Sequence, residues 1–114
     1  MNDKLLIVTK VKKTIEYLDK ILDNFPRNEN FFKSRIINTM YDMLENIYMA
    51  NIINTNEKIL YKQKVVTNIR MVDYYLKICA LKKYISLKKY NIIGNHLLEI
   101  HRMVIAWLKS EKSK

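Results

Sequence analysis

The chain has 114 residues, 49% of them hydrophobic, and its 21 Lys and Arg against 11 Asp and Glu give a formal net charge of +10. This is the size of one domain, with enough apolar content for a core without metal or disulfide support, and the single cysteine favours a reducing, cytoplasmic environment. The short apolar run Leu5–Val8 is far below the ~20 residues that span a bilayer and lacks a cleavage site, so we expect neither membrane insertion nor secretion.

The first two predicted helices are separated by a proline. Helix one is predicted from about Asp3 to Asn24 and ends just before Pro26, because a residue that precedes proline is disfavoured in helical geometry. Asn28 or Asn30 is expected to cap helix two with its side-chain oxygen, and this helix continues to about Ile53.

Two further helices follow a polar break. Thr55 or Asn56 is expected to cap helix three, which is predicted over residues 57–84. Ser86 is the expected cap of helix four, which ends near Lys109.

Each predicted helix carries an apolar stripe at spacings of three and four, typical of a helix with one buried face. The stripes are Val8, Val11, Ile15, Leu18, Leu22 and Phe25; Ile36, Met40, Met43 and Ile47; Val65, Ile69, Val72, Leu76 and Cys79; and Tyr90, Ile93, Leu97, Ile100, Val104 and Trp107. Short connections between them predict an all-α, up-down-up-down antiparallel four-helix bundle over residues 1–109, with a flexible basic tail at 110–114. A solenoid of helix pairs is the second architecture. Gly94 lies inside helix four, where it costs up to about 1 kcal/mol relative to alanine, and a close helix contact would explain it.

The positive charge is predicted to lie on particular faces. Opposite the apolar stripes we place two sets, Lys10, Lys13, Tyr17 and Lys20 on helix one, and Arg70, Tyr74 and Lys77 on helix three. Stacked lysines repel each other on a helix, so fold stability gives no reason for them. The pattern favours nucleic acid, or an acidic protein groove, over a merely solvated face. A nucleic acid would be bound by sequence-independent phosphate contacts and by tyrosine stacking on unpaired bases.

Some apolar residues fall outside the main stripes, more than one bundle is expected to bury. They are Ile59, Val66, Tyr84, Phe31, Met49, Ile92 and Ile105. Exposed apolar surface of this extent indicates self-association, so we predict a homo-oligomer with these residues at its interface.

Motifs of catalysis and of metal or cofactor binding are missing from the sequence. His96 and His101 are five residues apart, whereas two histidines that bind one metal from a helix are four apart. The chain's one glycine excludes a glycine-rich phosphate loop, and no nucleophile sits beside a base. We therefore predict no catalytic residue, no metal, no cofactor and no enzymatic activity.

The stretch from Leu98 to Ser110 resembles the glutamate, glycine-arginine-methionine and tryptophan-leucine-lysine ending of a family of small four-helix-bundle proteins. Residues 18–27, with their Phe-Pro pair, are similar to the end of that family's first helix, and residues 73–86 to its third helix and following serine. The family contains the accessory variability determinant (Avd) of diversity-generating retroelements and proteins encoded by intervening sequences in bacterial ribosomal RNA genes. The chain departs from it at His101 and Ile105, where the family often has glycine.

The resemblance implies a homopentameric barrel of bundles that binds the retroelement's reverse transcriptase and template RNA, or an RNA/DNA hybrid, during mutagenic retrohoming. It gives Arg102 an interface or phosphate-binding role and Trp107 a packing role at the end of the bundle. The alternative is a structural scaffold encoded by a ribosomal RNA intervening sequence, with a ribosomal partner or none. A toxin-type or regulatory helical protein is a third hypothesis.

Overall fold

Four α-helices make up the computed structural model, which describes the backbone of residues 3–112 and the side chains of residues 6–110. The helices are α1 (Asp3–Leu22), α2 (Phe31–Ile52), α3 (Glu57–Leu81) and α4 (Leu87–Lys112), and the described backbone contains no strand. The predicted fold class is therefore confirmed.

The helices form a ring around one core. Each helix packs against its neighbour in sequence, and α4 closes the ring against α1, whereas α1 and α3 make no contact in the described backbone, nor do α2 and α4. The bundle measures 47 × 22 × 21 Å, so its cross-section is nearly square. Short connections force consecutive helices to run antiparallel.

The predicted apolar stripes form the core. All of their residues are buried except Tyr90, which is half-buried and donates a hydrogen bond from its hydroxyl to Asp73 Oδ1 at 2.9 Å. Burial, together with this bond, raises the pKa of Tyr90 to about 12. Burial likewise raises the pKa of Cys79 to about 11, so this thiol is a packed, unreactive group.

The core also contains a lysine that the apolar pattern does not reveal. Lys62 is fully buried, with its ammonium 4.0 Å from the ring centroid of Trp107 and 3.4 Å from the Trp107 carbonyl oxygen. A desolvated cation over an indole face is favourable by about 2 kcal/mol. Trp107, 7% exposed, thus packs between α3 and α4 near one end of the bundle.

The helix ends differ in detail from the prediction. Ser86 caps α4 as expected, since its Oγ accepts from the Lys89 N–H at 3.1 Å. Neither Asn30 nor Asn56 makes a side-chain cap bond. Thr55, the other residue expected to cap α3, accepts from the Glu57 N–H with its Oγ1 at 3.4 Å. At α2 the Glu29 carboxylate accepts from the Phe32 N–H instead, at 3.1 Å, because its longer side chain reaches the second helical residue.

The two longest helices also end at different residues than expected. Helix α3 ends at Leu81 rather than at 84, and α4 continues to Lys112, so the predicted tail is helical over its first three residues. Residues 113–114 lie outside the described residues.

A Schellman motif stops α3. Lys83 has a φ of 65°, its N–H bonds the Ala80 carbonyl at 3.0 Å, and the Tyr84 N–H bonds the Cys79 carbonyl at 2.9 Å. Glycine is the usual residue at this left-handed position, where an L side chain costs roughly 1 to 2 kcal/mol. Lys83 is therefore unfavourable for the folded backbone at this position.

Gly94 does not serve a close contact within the bundle. A Cβ added to it would have no heavy atom of the described residues within 4 Å. Instead, Gly94 lies in an open groove between α3 and α4 that Arg70, Asp73 and His101 also line.

We expect Gly94→Ala to raise the free energy of unfolding by up to about 1 kcal/mol, because alanine is the better helix former and its methyl group meets open space. Urea denaturation followed by circular dichroism measures the change. A decrease in stability would show that the groove is filled in solution, contrary to this structure.

Candidate nucleic-acid interface

The cations predicted on α1 do not all face solvent. Lys10 lies on the flank of α1 that packs against α4, with 18% of its side chain exposed, and its Nζ is 2.9 Å from Glu99 Oε2 and 2.7 Å from His96 Nδ1. This is the one ion pair within 4.0 Å among the described side chains. Lys10 is already neutralised inside the protein and is not available to a phosphate.

The hydrogen bond from Lys10 determines which ring nitrogen of His96 carries the proton. An ammonium group can only donate, so His96 Nδ1 accepts and the ring proton resides on Nε2. Burial, and then the charge of Lys10, lower the pKa of His96. The hydrogen bond from Lys10 and its charge likewise lower the pKa of Glu99, so this carboxylate remains ionised at neutral pH.

The remaining predicted residues of α1 are one half-buried tyrosine and two exposed lysines. Tyr17 is half-buried and its ring contacts that of His96, with centroids 5.7 Å apart. Lys13 and Lys20 are exposed and, within residues 6–110, have no carboxylate within 4.0 Å. Four predicted positions on α1 are thus reduced to two free cations.

The predicted residues of α3 do face solvent. Arg70 and Lys77 are exposed, and Tyr74 between them is 56% exposed. Arg102 on α4 is exposed as well, at the rim of an apolar groove lined by Leu6, Met103, Ala106, Trp107 and Ser110.

The two predicted basic faces lie on opposite sides of the molecule. Because α1 and α3 are diagonal in the ring, their outward faces are separated by a bundle about 22 Å thick. The sequence places cations on faces but does not say which helices are neighbours. One straight nucleic-acid segment can therefore contact one of these faces but not both.

The predicted interface residues are mostly packed within the chain. Phe31 is 63% exposed, but the other six are half-buried: Ile59, Val66, Tyr84, Met49, Ile92 and Ile105. Tyr84 packs on Phe25 with ring centroids 5.7 Å apart, which gives it an intramolecular role. These positions lie beside the stripes, where neighbouring helices cover them. A role in self-association stays a prediction.

Apolar exposure is concentrated on other residues. The most exposed large side chains besides Phe31 are Leu81 at 80%, Ile52 at 71% and Leu87 at 69%, and the rest are Leu6, Tyr41, Tyr48, Leu60, Met71, Tyr74 and Leu98. Of these other residues, the periodicity placed only Tyr74 on an outward face.

A second basic surface lies at the connection between α3 and α4, and the sequence analysis missed most of it. Five exposed lysines form this lysine corner: Lys77, Lys82, Lys83, Lys88 and Lys89. The signal that could have found them is the absence of any Asp or Glu between Tyr74 and Leu98.

The described residues contain neither a metal-binding cluster nor a membrane-spanning helix. No three His, Cys, Asp or Glu side chains there are close enough to hold a metal ion together. No helix in the described part of the chain has the length and apolar character needed to cross a bilayer.

The family model described as bAvd-like matches residues 5–111. The chain belongs to the bAvd-like family. At the level of the family this makes it an accessory protein of the Avd type, and the expected resemblance is confirmed. No curated protein matches the chain.

Among solved structures, the bundle is similar to a crystal structure at 1.70 Å of a protein of unknown function from the S23 ribosomal protein family of Bacteroides thetaiotaomicron. The two share 16% sequence identity and superpose with a TM-score of 0.86, covering 95% of this chain and 99% of the other. At this identity the likeness shows the fold alone.

We expect Lys10→Ala to lower the midpoint of urea unfolding, whereas Lys13→Ala, at an exposed position without an ion pair, leaves the free energy of unfolding within about 0.5 kcal/mol. Stability is also expected to fall between pH 7.5 and 5.5. The lowered pKa of folded His96 means that the unfolded chain binds its proton first as the pH drops.

Lys10→Ala should reduce this pH dependence, because the charge of Lys10 is the second cause of the lowered pKa of His96. Denaturation curves of the three proteins at both pH values supply the comparison. Equal stability of the two variants, or a stability that rises on acidification, would contradict the Lys10–His96–Glu99 geometry.

Proposed function

We propose that this protein is a non-enzymatic accessory factor of a diversity-generating retroelement, which binds the element's reverse transcriptase and template RNA during mutagenic retrohoming. The observation that carries the proposal is the bAvd-like match over residues 5–111. The net charge of +10 on so small a chain is in keeping with a polyanionic partner.

The exposed cations support nucleic acid as a partner. Lys13, Lys20, Arg70, Lys77 and Arg102 face solvent, and no carboxylate of residues 6–110 lies within 4.0 Å of their charged groups. Lysine contacts with phosphate are independent of base sequence and release counterions. Binding of this kind suits a factor that holds a template of variable sequence.

Exposed apolar side chains support self-association and a protein partner. Tyr41, Tyr48 and Ile52 lie along the outside of α2, and Leu60 and Met71 along α3, each at least 36% exposed. Apolar surface rimmed by polar residues is typical of protein interfaces. We propose a homo-oligomer, with the five subunits that the family resemblance implies.

We expect the affinity of this protein for RNA to fall steeply as the salt concentration rises. Contacts from two or three cations of one face to a single strand predict a slope of about −2 or steeper for the logarithm of the binding constant against the logarithm of the salt concentration. Fluorescence anisotropy with labelled 20-nucleotide RNAs of two unrelated sequences measures this slope. A slope near zero, or a strong preference for one sequence, would argue against backbone recognition.

We expect this protein to form a stable complex with a retroelement reverse transcriptase. Co-expression with a tagged reverse transcriptase from the same genome is expected to give one peak on size exclusion, and multi-angle light scattering is expected to give five copies of this chain per complex. An unrelated basic four-helix bundle is the control. Association with large ribosomal subunits in place of the enzyme would favour the intervening-sequence scaffold instead.

A further inference from the structure

We propose that the lysine corner, at the connection between α3 and α4, is the surface that binds the phosphate backbone of RNA. This inference rests on the proposed function and says which surface binds the RNA. The lysine corner differs from the helix faces expected from periodicity and shares only Lys77 with them.

Positive charge is concentrated at the lysine corner, without acidic residues beside it. From Tyr74 to Leu98 the chain contains five lysines and no acidic residue, so this stretch carries half of the formal net charge of +10. The nearest carboxylate before it, Asp73, accepts from the Tyr90 hydroxyl at 2.9 Å. Glu29, in the connection before α2, accepts from the Phe32 N–H and the Tyr84 hydroxyl. No described carboxylate pairs with a corner lysine.

The positions of the lysines are unfavourable for the fold itself. Lys83 occupies a left-handed conformation, with a φ of 65°, where glycine is preferred. Lys88 and Lys89 lie in the first turn of α4, which has no acidic residue, although the positive end of the helix dipole disfavours cations there. An anion bound from outside would compensate the positive charges of Lys88 and Lys89 at this end of the helix.

The backbone between the lysines is held in one conformation. The Schellman motif fixes residues 79–84, Ile85 is 6% exposed and anchors the connection in the core, and Ser86 caps α4. The lysine backbones are therefore positioned before a ligand arrives, which reduces the entropy cost of binding.

The shape of the surface favours a phosphate backbone over an acidic peptide. None of the corner lysines lines the grooves formed by described residues between α1 and α4, α2 and α3, or α3 and α4. A peptide binds by inserting side chains into a groove, whereas phosphates need only accessible cations. Tyr74, one turn before Lys77 on α3, is exposed and able to stack on an unpaired base.

The test compares two variants with the same net charge. The corner variant carries Lys82→Gln, Lys83→Gly, Lys88→Gln and Lys89→Gln, with glycine chosen because it suits the left-handed position. The control variant carries Lys12→Gln, Arg27→Gln, Lys64→Gln and Lys109→Gln, all at exposed positions outside the basic faces described above. Circular dichroism melts establish that both fold, and anisotropy with a labelled 20-nucleotide RNA is measured from 50 to 300 mM KCl.

The corner variant is expected to bind RNA at least about tenfold more weakly at 100 mM KCl, with a salt slope reduced by about 3, while the control retains most of the slope. Equal losses in both variants, with wild-type binding steeply salt-dependent, would overturn the location and leave the proposed function standing. Salt-independent binding by the wild type would overturn both. A corner variant that keeps RNA binding but loses the reverse transcriptase would make the corner a protein-docking surface and refute the inference.

Discussion

Burial of four apolar stripes in one closed ring is the constraint on which everything else in this protein depends. Each stripe has to face the shared core, so the rotation of each helix about its axis is fixed and with it the direction of every other side chain. The order of the ring then decides which flanks meet. Lys10 meets Glu99 and His96 because α1 closes against α4, while Arg35 on α2 reaches the Tyr75 hydroxyl on α3 at 2.6 Å.

Polar groups occupy the seams between these helices and have partners there. The Asn46 amide of α2 donates to Asn68 of α3 at 2.9 Å, and the Tyr90 hydroxyl of α4 donates to Asp73 of α3 at the same distance. Buried polar groups are costly unless satisfied, so such pairs disfavour bundles in which the helices slide or rotate. Seam contacts also remove charges from the surface, which is why a lysine on a helix flank cannot be assumed to be free.

Charge that remains on the surface is unevenly distributed. The outward faces of α1 and α3 retain Lys13, Lys20, Arg70 and Lys77, but on opposite sides of the ring. The connection between α3 and α4 gathers lysines from two antiparallel helices at one tip, where neither helix supplies a carboxylate. Acidic residues such as Asp42 and Glu45 lie on α2 instead. The molecule thus presents surfaces of different character to a polyanion and to another subunit.

The sequence by itself determined the four helices, their approximate ends, the core residues and the family, because periodicity of apolar residues and local capping chemistry are readable within single segments. It predicted Ser86 as a cap and Cys79 as a buried thiol for the same reason. The tertiary structure alone decided that Lys10 is paired, that Tyr84 packs on Phe25, and that Lys62 lies under Trp107. These facts depend on which helices are neighbours and on small rotations about each axis, and neither is recorded in the spacing along one helix.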